Sequence, residues 1–445
     1  MRSLAIERER VWTSEVGSHV GERVTLAGWL HRFRPLSNVA FLILRDAKGL
    51  AQVVVEEQAL RAQLDGLYNE SVLRVTGTVV AVPQVPDGVE IHDPSVEILS
   101  AAAAPPPFDL FRPVLQPPLA TLLDHQPLML RHPRQRALFQ LSAAAMAGFR
   151  ATLSSLDFVE IQTPKIVGSA TEGGANVFKI DYLGRPAYLS QSPQLYKQLM
   201  VGVFERVFEV GPAFRAEPHD TPRHLNEFVS LDAELGFIHD HRDVMAVLTH
   251  TLRGMLDALR TDAAGALALL GLADKLPVVL AAPAEIPVVT FTDALALIAR
   301  GTGEDLAGEP DLAPAHERWL GEWARREHGS DFLFVTGYPA ATKPFYTHPD
   351  PANPAFTNAF DLLFRGVELV SGGQRLHRYE DYCRVLAERH MNEDAFTDFL
   401  EAFRHGMPPH GGFAIGLERF IARLVEAPNV RETTLFPRDL HRLTP

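Results

Sequence analysis

The stretch Phe214–Phe228, FRAEPHDTPRHLNEF, says more about fold and site than any other part of this 445-residue chain. Strand-forming residues on either side of it, Val207–Glu209 and Ser230–Leu235, predict two strands joined by a polar loop. The candidate binding residues in this stretch are Arg215, Glu217, Arg223, His224, Leu225 and Phe228. Arginine offers two parallel donors to phosphate oxygens and keeps its charge, while an aromatic ring can stack on a base. The stretch therefore predicts a nucleotide site.

A second informative stretch is Gly416-Leu417-Glu418-Arg419, which opens an apolar helix further along the chain. Its arginine could converge with Arg215 on one pocket, and two guanidinium groups suit a triphosphate. The sequence contains no G-x-x-x-x-G-K-[ST] loop and no strand-linked G-x-G-x-x-G. We therefore expect nucleotide activation without a Gly-rich phosphate loop.

Three stretches resemble the signature motifs of the class II aminoacyl-tRNA synthetases. Phe158–Pro164 resembles motif 1, Phe214–Glu234 motif 2 and Gly411–Leu424 motif 3. Between them lie SATEGGA at 169–175, QSPQLYK at 191–197 and ELVSGGQRLH at 368–377, which resemble the aspartyl and asparaginyl branch. The chain as a whole resembles an aspartyl-tRNA synthetase of the archaeal type, which some bacteria carry as a second enzyme. A homodimer is implied, because motif 1 builds a dimer interface in this class.

The expected fold class is α+β, with two domains. Residues 1–103 predict an OB-fold anticodon-binding barrel, since five strand-like runs are interrupted by one helical run after the third. The runs are Val24–Leu30, Ala40–Leu44, Leu50–Val55, Leu73–Val82 and Val89–Leu99, and the helix is Gln58–Asn69. An Ala/Pro-rich linker or hinge is expected at 104–132 and an antiparallel sheet flanked by helices at 133–445. Within the latter, about 245–331 carries no site motif and is interpreted as a family-variable insertion and packing region.

The resemblance implies that aspartate attacks the α-phosphate of ATP and that the resulting adenylate is transferred to tRNA. Arg215 and Arg419 are the implied catalytic residues, Arg215 bridging the aspartate α-carboxylate and the α-phosphate. The implied ATP-binding residues are Arg215, Glu217, Arg223, His224, Leu225, Phe228, Glu368, Gly416, Leu417, Glu418 and Arg419. Mg²⁺ is the implied cofactor, with Glu368 and Ser371 as ligands and Asp361 helping to organise the metal; these hard oxygen donors suit Mg²⁺.

Aspartate selection is implied at a second group of residues. They are Glu172, Gln194, Lys197, Asp232, Arg215, Ser371 and Arg375. Arg375 is expected to bind the β-carboxylate in a bidentate manner beside Lys197, while Asp232 and Gln194 hold Lys197 and the substrate ammonium. Glu172 is expected to close over the substrate on a Gly-flanked loop. Two buried cations should reject asparagine, because a neutral amide would leave their charge uncompensated.

Anticodon recognition is implied at five positions, His31, Phe41, Gln52, Pro83 and Glu97. Phe41 would stack on the central anticodon base and Gln52 would bond to it, although Phe41 could equally be an aromatic of the barrel core. Glu97 is expected to help read the first base. Discriminating relatives have Trp and Lys where this chain has His31 and Pro83. This difference predicts aspartylation of both tRNA(Asp) and tRNA(Asn), with an amidotransferase completing the second product.

Composition agrees with a soluble enzyme. The chain is 46% apolar and 22% charged, with a net charge of −13, so any RNA contact requires local basic groups. Its one cysteine, Cys383, excludes an intramolecular disulfide and a Cys-rich zinc site. We expect a cytoplasmic protein without a membrane partner, since no leader-like segment and no apolar run of membrane-spanning length occurs.

Three alternatives stay open at this point. An asparaginyl-tRNA synthetase differs mainly in the sequence after Arg375. A synthetase-derived enzyme that forms asparagine would usually lack the anticodon domain. A non-catalytic RNA-binding paralogue would be expected to lose Arg215, Glu368 or Arg419, and this chain has all three.

Overall fold

The computed structural model describes residues 10–85, 87–168, 176–276 and 286–445. Residue contacts divide the chain into two compact units, Met1–Arg136 and Ala137–Pro445. No helix among the described residues is long and apolar enough to cross a membrane.

The first unit contains a closed five-stranded barrel with the strand order β1-β2-β3-β5-β4. Its strands are β1 (Arg23–Pro35), β2 (Ala40–Arg45), β3 (Leu50–Val55), β4 (Val72–Ala81) and β5 (Val89–Ser100), with α1 (Gln58–Leu64) between β3 and β4. Alternate residues of β2, such as Ala40, Leu42 and Leu44, are fully buried in the barrel core. This period of two is what a strand with one buried face requires, and the predicted OB-fold is confirmed.

Two predictions of local structure in this unit need correction. Helix α1 ends at Leu64 rather than Asn69, and Gly66 follows with a φ of 91°, a left-handed conformation that ends helices. The segment expected to be an irregular linker contains two short helices, α2 (Leu119–Asp124) and α3 (Gln126–Met129). Contacts group this segment with the barrel, since the boundary between the units falls after Arg136.

The second unit is built on an eight-stranded sheet with the order β12-β13-β14-β15-β16-β11-β10-β6. Its strands are β6 (Val159–Glu160), β10 (Arg206–Phe214), β11 (Glu227–Gly236), β12 (Val288–Thr290), β13 (Phe332–Thr336), β14 (Ala359–Phe364), β15 (Val367–Gln374) and β16 (His410–Gly416). Neighbouring strands are antiparallel except for two edge pairs, β6 with β10 and β12 with β13. A small separate sheet contains β7 (Ile166–Val167), β8 (Lys179–Tyr182) and β9 (Arg185–Leu189).

Helices cover this sheet. They are α4 (Pro133–Ser155), α5 (Gln194–Phe204), α6 (His241–Asp262), α7 (Ala264–Leu270), α8 (Phe291–Thr302), α9 (Pro314–His328), α10 (Tyr379–Glu388), α11 (Thr397–Arg404) and α12 (Leu417–Leu424). Helices α4 and α6 contribute Phe149, Leu248 and Met255 to the same buried core as the sheet residues Phe208 and Phe413. Part of the region 245–331 therefore belongs to the core. This region contains most of α6, and its strand β12 extends the main sheet.

The strand order explains how distant stretches meet. Strand β11, which follows the FRAEPHDTPRHLNEF loop, pairs with β16, which leads into the GLER stretch, so that Ser230 lies opposite Gly416. On its other side β16 pairs with β15, where Ser371 lies opposite Ala414. Neighbouring strands lie about 5 Å apart. Three sequence-distant stretches thus lie side by side on one face of the sheet.

Candidate active site

One cavity collects most of the predicted nucleotide-binding residues. Its lining consists of Arg215, Glu217, Arg223, His224, Leu225, Phe228, Ser230, Glu368, Leu369, Ser371, Ala414, Ile415, Gly416, Glu418, Arg419 and Val430. Leu417 is the exception in the predicted set. Its side chain is buried in the main core, because the first turn of α12 directs it away from the cavity. The apolar character of Leu417 therefore serves packing.

The polar loop between β10 and β11 is closed by its own backbone. The amide of Arg215 donates to the carbonyl of Asn226 at 2.9 Å, which continues the strand pairing past Phe214. The guanidinium of Arg215 lies 5.4 Å from the ring centre of Phe228. His224 contacts the hydroxyl of Thr221 at 2.6 Å, and burial lowers the pKa of this imidazole below its ordinary value. The loop therefore places a cation, an aromatic face and a largely neutral histidine at the cavity.

The opposite wall carries the predicted metal-binding residues. The hydroxyl of Ser371 donates to Asp361 at 2.7 Å and lies 3.1 Å from Glu368. Burial opposes ionisation of Glu368, but the charges of Arg419 and Lys343 hold its pKa below the ordinary value. Glu368 is therefore a charged carboxylate at the cavity surface.

Asp361 accepts hydrogen bonds from two neighbouring side chains. Asp361 is buried, and its two oxygens accept from Lys343 at 3.0 and 3.4 Å as well as from Ser371. Lys343 was not recognised from the sequence; its ammonium also lies 3.8 Å from the ring centre of Tyr338. Asp361 is thus bonded to Ser371, a predicted Mg²⁺ ligand, and its part in organising the metal stays a prediction. Among the described residues, no group of three or more His, Cys, Asp or Glu side chains forms a metal site.

Glu368 and Ser371 alone fit one Mg²⁺ ion shared with phosphate. Both present hard oxygen atoms to the cavity, and Mg²⁺ is typically held by one or two protein oxygens together with phosphates and water. These oxygen donors suit Mg²⁺ better than zinc, which prefers nitrogen and sulfur ligands.

Glu317 is a further carboxylate at this wall that sequence reasoning missed. It lies on α9, within the region interpreted as insertion and packing. Its Oε2 accepts from the backbone amide of Glu368 at 3.0 Å and from Arg223 at 3.4 Å. A single glutamate among charged helix residues has no local pattern that distinguishes it, so the sequence offered no signal.

Glu418 links the two motif stretches. Both of its carboxylate oxygens accept from the backbone amide of Val229, at 3.0 and 3.1 Å. Burial raises the pKa of Glu418 to about 7, because no strong compensating cation contributes to its environment. Glu418 therefore fixes the position of the residue next to Phe228.

A second group of predicted residues forms a buried ion network beside the cavity. The ammonium of Lys197 lies 3.0 Å from Asp232 and 3.3 Å from Glu234, and it also donates to the carbonyl of Phe413 at 3.2 Å. Arg375 donates through Nε to Glu234 at 2.9 Å. Glu234 was not predicted, although it lies two residues from Asp232 on the same strand. Burial opposes its ionisation, but Arg375 and Lys197 keep the pKa of Glu234 below the ordinary value.

This network bears on the roles predicted for Arg375 and Gln194 in the aspartate site. The ammonium of Lys197 donates to Asp232 and to the carbonyl of Phe413, and Nη2 of Arg375 donates to Gln194 and to the carbonyl of Gly412. Bidentate binding of a carboxylate by Arg375 therefore requires release of an existing bond. Gln194 accepts with Oε1, and its buried Nε2 has no partner among the described residues. An amide nitrogen donates, so Nε2 of Gln194 is available to a substrate carboxylate, and the contact predicted between Gln194 and the ammonium stays a prediction.

The two buried cations of the aspartate site have carboxylate partners within the protein. Lys197 and Arg375 are balanced by Asp232 and Glu234 within the network. Lys197 and Arg375 therefore keep their carboxylate partners when the side chain of the substrate is neutral, as in asparagine. Glu172 lies outside the described residues, so its expected closing movement stays a prediction.

The predicted anticodon residues lie on the barrel in three different settings. Phe41 alternates with the buried Ala40 and Leu42, so its partly exposed ring lies on the outer face of β2 and outside the barrel core. Gln52 pairs in register with Ile43 on the neighbouring strand, and its amide donates to Glu90 at 2.6 Å. Phe41 and Gln52 therefore share one face.

His31 lies within β1, at an irregularity in the pairing of this strand with β2. Its ring is buried and contacts Arg45 at 3.2 Å, and burial together with Arg45 lowers its pKa to about 4. A buried ring cannot contact an anticodon base directly. Pro83 is exposed in the β4–β5 turn, and Glu97 forms an exposed ion pair with Arg74.

Two family models match the chain. Residues 119–440 match the class II tRNA synthetases (D, K and N), and residues 24–99 match the OB-fold nucleic acid binding domain. The first match covers most of the second unit and all three motif stretches.

The chain is similar to known proteins over nearly its full length. The chain is 45% identical to an aspartate–tRNA(Asp/Asn) ligase of Thermus thermophilus, covering 98% of this chain and 100% of the relative. It is 42% identical to an aspartate–tRNA(Asp) ligase of Picrophilus torridus, covering 95% of this chain and 97% of the relative. Among solved structures, asparaginyl-tRNA synthetase from Pyrococcus horikoshii complexed with asparaginyl-adenylate gives a TM-score of 0.90 at 30% identity. The match covers 98% of this chain and 100% of that structure's chain. Backbone likeness thus extends to the asparaginyl branch, whereas the curated relatives are aspartate enzymes.

Proposed function

The chain belongs to the class II tRNA synthetases of the aspartate, lysine and asparagine group, and on this premise we propose that it joins aspartate to both tRNA(Asp) and tRNA(Asn), using ATP. The ligase activity itself follows from the family and the full-length relatives. The observation that carries the site assignment is the cavity in which Arg215, Arg419 and Glu368 converge beside the buried network of Lys197 and Arg375.

In the first step, a carboxylate oxygen of aspartate attacks the α-phosphorus of ATP and the bond to the β-phosphate breaks. Arg215, on the loop side of the cavity, stabilises the charge that develops on the α-phosphate. Arg419, Arg223 and the largely neutral His224 hold the β- and γ-phosphates. Phe228 stacks on adenine, and Glu217 accepts from its amino group. The protein supplies positioning and charge and no covalent nucleophile.

Glu368 and Ser371 would hold Mg²⁺, with Asp361 and Lys343 keeping the serine hydroxyl in place. The ion would neutralise phosphate charge at this wall. The ionised state of Glu368 at neutral pH supports this assignment.

Aspartate selection follows when Arg215 is counted with the buried network. Lys197, Arg375 and Arg215 carry three positive charges, and the carboxylates of Asp232 and Glu234 carry two negative ones. Aspartate, with two carboxylates and one ammonium, brings a net charge of −1 and balances the set. Asparagine brings no net charge and leaves one positive charge of this set uncompensated, which favours aspartate beside the buried cations Lys197 and Arg375.

Transfer requires the ribose hydroxyl of the terminal adenosine of tRNA to attack the activated carbonyl, releasing AMP. The outer face with Phe41 and Gln52 is the proposed anticodon contact, since exposed aromatic rings on an OB-fold stack on unpaired bases. A homodimer, a cytoplasmic location and an amidotransferase acting on aspartyl-tRNA(Asn) complete the proposal.

Aminoacylation of separate tRNA(Asp) and tRNA(Asn) transcripts with labelled aspartate or asparagine tests this function. We expect aspartate on both transcripts. Aspartate on tRNA(Asp) alone would retain the ligase and refute its dual specificity, and asparagine charging would refute the amino-acid assignment.

Arg419→Ala tests the triphosphate site. Loss of a charge-assisted phosphate contact should lower the rate of aspartate-dependent pyrophosphate exchange by at least about 100-fold, while tRNA binding is retained. Arg326→Ala, an exposed arginine on α9, is the control and should behave as wild type. Exchange near the normal rate in Arg419→Ala would place the triphosphate elsewhere.

A further inference from the structure

Glu317 occupies an unusual position for a residue outside every motif. It is buried, and Oε2 alone contacts two separate parts of the cavity wall. One contact is the backbone amide of Glu368 on β15. The other is the guanidinium of Arg223 on the loop between β10 and β11.

Both backbone polar groups of Glu368 are hydrogen-bonded to side chains. Its amide is bonded by Glu317, and its carbonyl accepts from Nη1 of Arg419 at 2.7 Å. Helix α9 cannot shift easily against this strand, because Gly321 and Gly366 pack without room for a Cβ, which at Gly321 would lie 2.4 Å from the Gly366 nitrogen. Helix α9 thus packs directly against the turn that precedes Glu368, and this packing restricts the movement of Glu317.

Arg223 has the opposite character. It lies on a polar loop, its side chain is 36% exposed, and it is a long residue with many rotamers. The contact to Glu317 is through Nη1, while the residue also lines the cavity. Holding such a side chain before ligand arrives removes part of the entropy cost of binding.

We propose that Glu317 is a positioning residue of the nucleotide site, whose carboxylate holds Arg223 ready for the triphosphate and fixes the backbone that carries Glu368. A neutral acceptor would suffice for the Glu368 amide alone. Burial raises the pKa of Glu317 and Arg223 opposes this rise, and the ionised carboxylate strengthens the hydrogen bond to the guanidinium. The inference rests on the proposed function of this cavity and extends it to a helix that carries no motif.

Two substitutions separate the two contacts. Glu317→Gln keeps an oxygen acceptor for the Glu368 amide and removes the charge that holds Arg223. Glu317→Leu removes both. Glu322→Gln, an exposed glutamate on the same helix, is the matched control.

The readouts are the KM values for ATP and aspartate in pyrophosphate exchange, and calorimetric ATP binding with and without Mg²⁺. For Glu317→Gln we expect the KM for ATP to rise about three- to tenfold, the range set by immobilising one flexible side chain, with the KM for aspartate unchanged. Glu317→Leu should in addition weaken the Mg²⁺-dependent part of ATP binding. Glu322→Gln should match wild type in every readout.

A double-mutant cycle with Arg223→Ala provides the decisive comparison. In the Arg223→Ala background, Glu317→Gln should produce no further change in the KM for ATP. An unchanged or lowered KM for ATP in Glu317→Gln, or an equal effect in both backgrounds, would overturn the proposal. Arg419→Ala separates failure of the proposed nucleotide site from failure of the role of Glu317. If Arg419→Ala loses pyrophosphate exchange while the Glu317 variants behave as wild type, the nucleotide site stands and only the role of Glu317 is refuted.

Discussion

At the scale of single residues, the site is a set of buried charges, most of which are paired. Lys197, Arg375 and Asp361 each have an oppositely charged partner within hydrogen-bond distance. Glu418 differs, because the partner of its two oxygens is the backbone amide of Val229. Burying a carboxylate against a neutral donor favours its protonated form.

Glu418→Gln should therefore stabilise the protein at alkaline pH. The pKa of Glu418 is raised from 4.5 to about 7 in the folded state, so its contribution to stability is full below pH 4.5 and is lost as the pH rises through 7. The variant lacks this dependence. Its free energy of unfolding should exceed that of wild type by up to about 3 kcal/mol at pH 8, with the difference shrinking toward pH 4.5.

Urea unfolding of both proteins between pH 4.5 and 8.5 measures this difference. Glu217→Gln, which removes a partly exposed carboxylate of the same cavity, is the comparison variant. A Glu418→Gln difference that is constant across the range would show that Glu418 is ionised throughout.

At the scale of elements, close helix packing explains one glycine. Gly148 on α4 faces α6, where a Cβ would lie 2.7 Å from the carbonyl oxygen of Gly254 and 2.8 Å from the Cα of Met255. Backbone atoms cannot move aside as a flexible side chain can. The two helices can therefore approach only because residue 148 has no side chain.

Gly148→Ala should lower the free energy of unfolding by about 1–3 kcal/mol, the usual cost of overpacking. Gly265 on α7 is the matched control, since nothing lies within 4 Å of the position its Cβ would take. Gly265→Ala should be neutral or raise stability by about 0.4–1 kcal/mol through the unfolded chain. Thermal unfolding midpoints that fall equally for both would refute the packing argument.

The nucleotide-binding loop is also secured by an element from the end of the chain. Arg431, in the short 3-10 helix Val430–Thr433, donates to Asp220 at 2.7 Å and to the carbonyl of Thr221 at 3.2 Å, and it pairs with Asp439. The amide of Asn226 donates to the carbonyl of Arg438 at 2.8 Å. These contacts hold a polar loop that has little apolar surface of its own.

Arg431→Met should loosen residues 215–226. We expect faster amide hydrogen exchange across this range and a several-fold rise in the KM for ATP, while the KM for aspartate stays within about twofold. Arg260→Met, an exposed arginine of α6, is the control. Unchanged exchange at 215–226 would mean that the backbone bonds hold the loop without Arg431.

At the scale of the whole molecule, the net charge of −13 means that affinity for RNA must come from local surfaces. The two units have separate hydrophobic cores, so a change in the barrel can alter tRNA choice without altering activation in the other unit. Pro83 is the position at which this separation can be tested, because it is exposed, whereas a Trp at His31 would overpack a buried site.

Pro83→Lys should lower the aspartylation of tRNA(Asn) relative to tRNA(Asp) by about tenfold, the effect of roughly one lost or opposed base contact. Pyrophosphate exchange without tRNA should not change. Gln84→Lys adds the same charge to the neighbouring exposed position of the turn and should affect both tRNAs alike. Equal losses on both tRNAs in Pro83→Lys would assign Pro83 to turn stability.

The sequence by itself determined the family, the OB-fold, the α+β class and most of the residues around the nucleotide cavity. These follow from local patterns: strand periodicity around Leu42, the FRAEPHDTPRHLNEF loop and the GLER helix start can be read within a few residues. Local patterns did not show the burial of His31, which follows the strand-like run Val24–Leu30 and lies buried at an irregularity of β1.

Only the tertiary structure decided which charges meet. Lys343 pairs with Asp361, Glu234 balances Lys197 and Arg375, and Glu317 joins Arg223 to the backbone of Glu368. Each is a lone charged residue whose partner lies far away in sequence or on another strand. Electrostatic energy depends on distance in space and on burial. The residues that flank a single glutamate or lysine in the sequence show neither its distance to a partner nor its burial. Only the folded sheet brings these groups within 3–4 Å of one another.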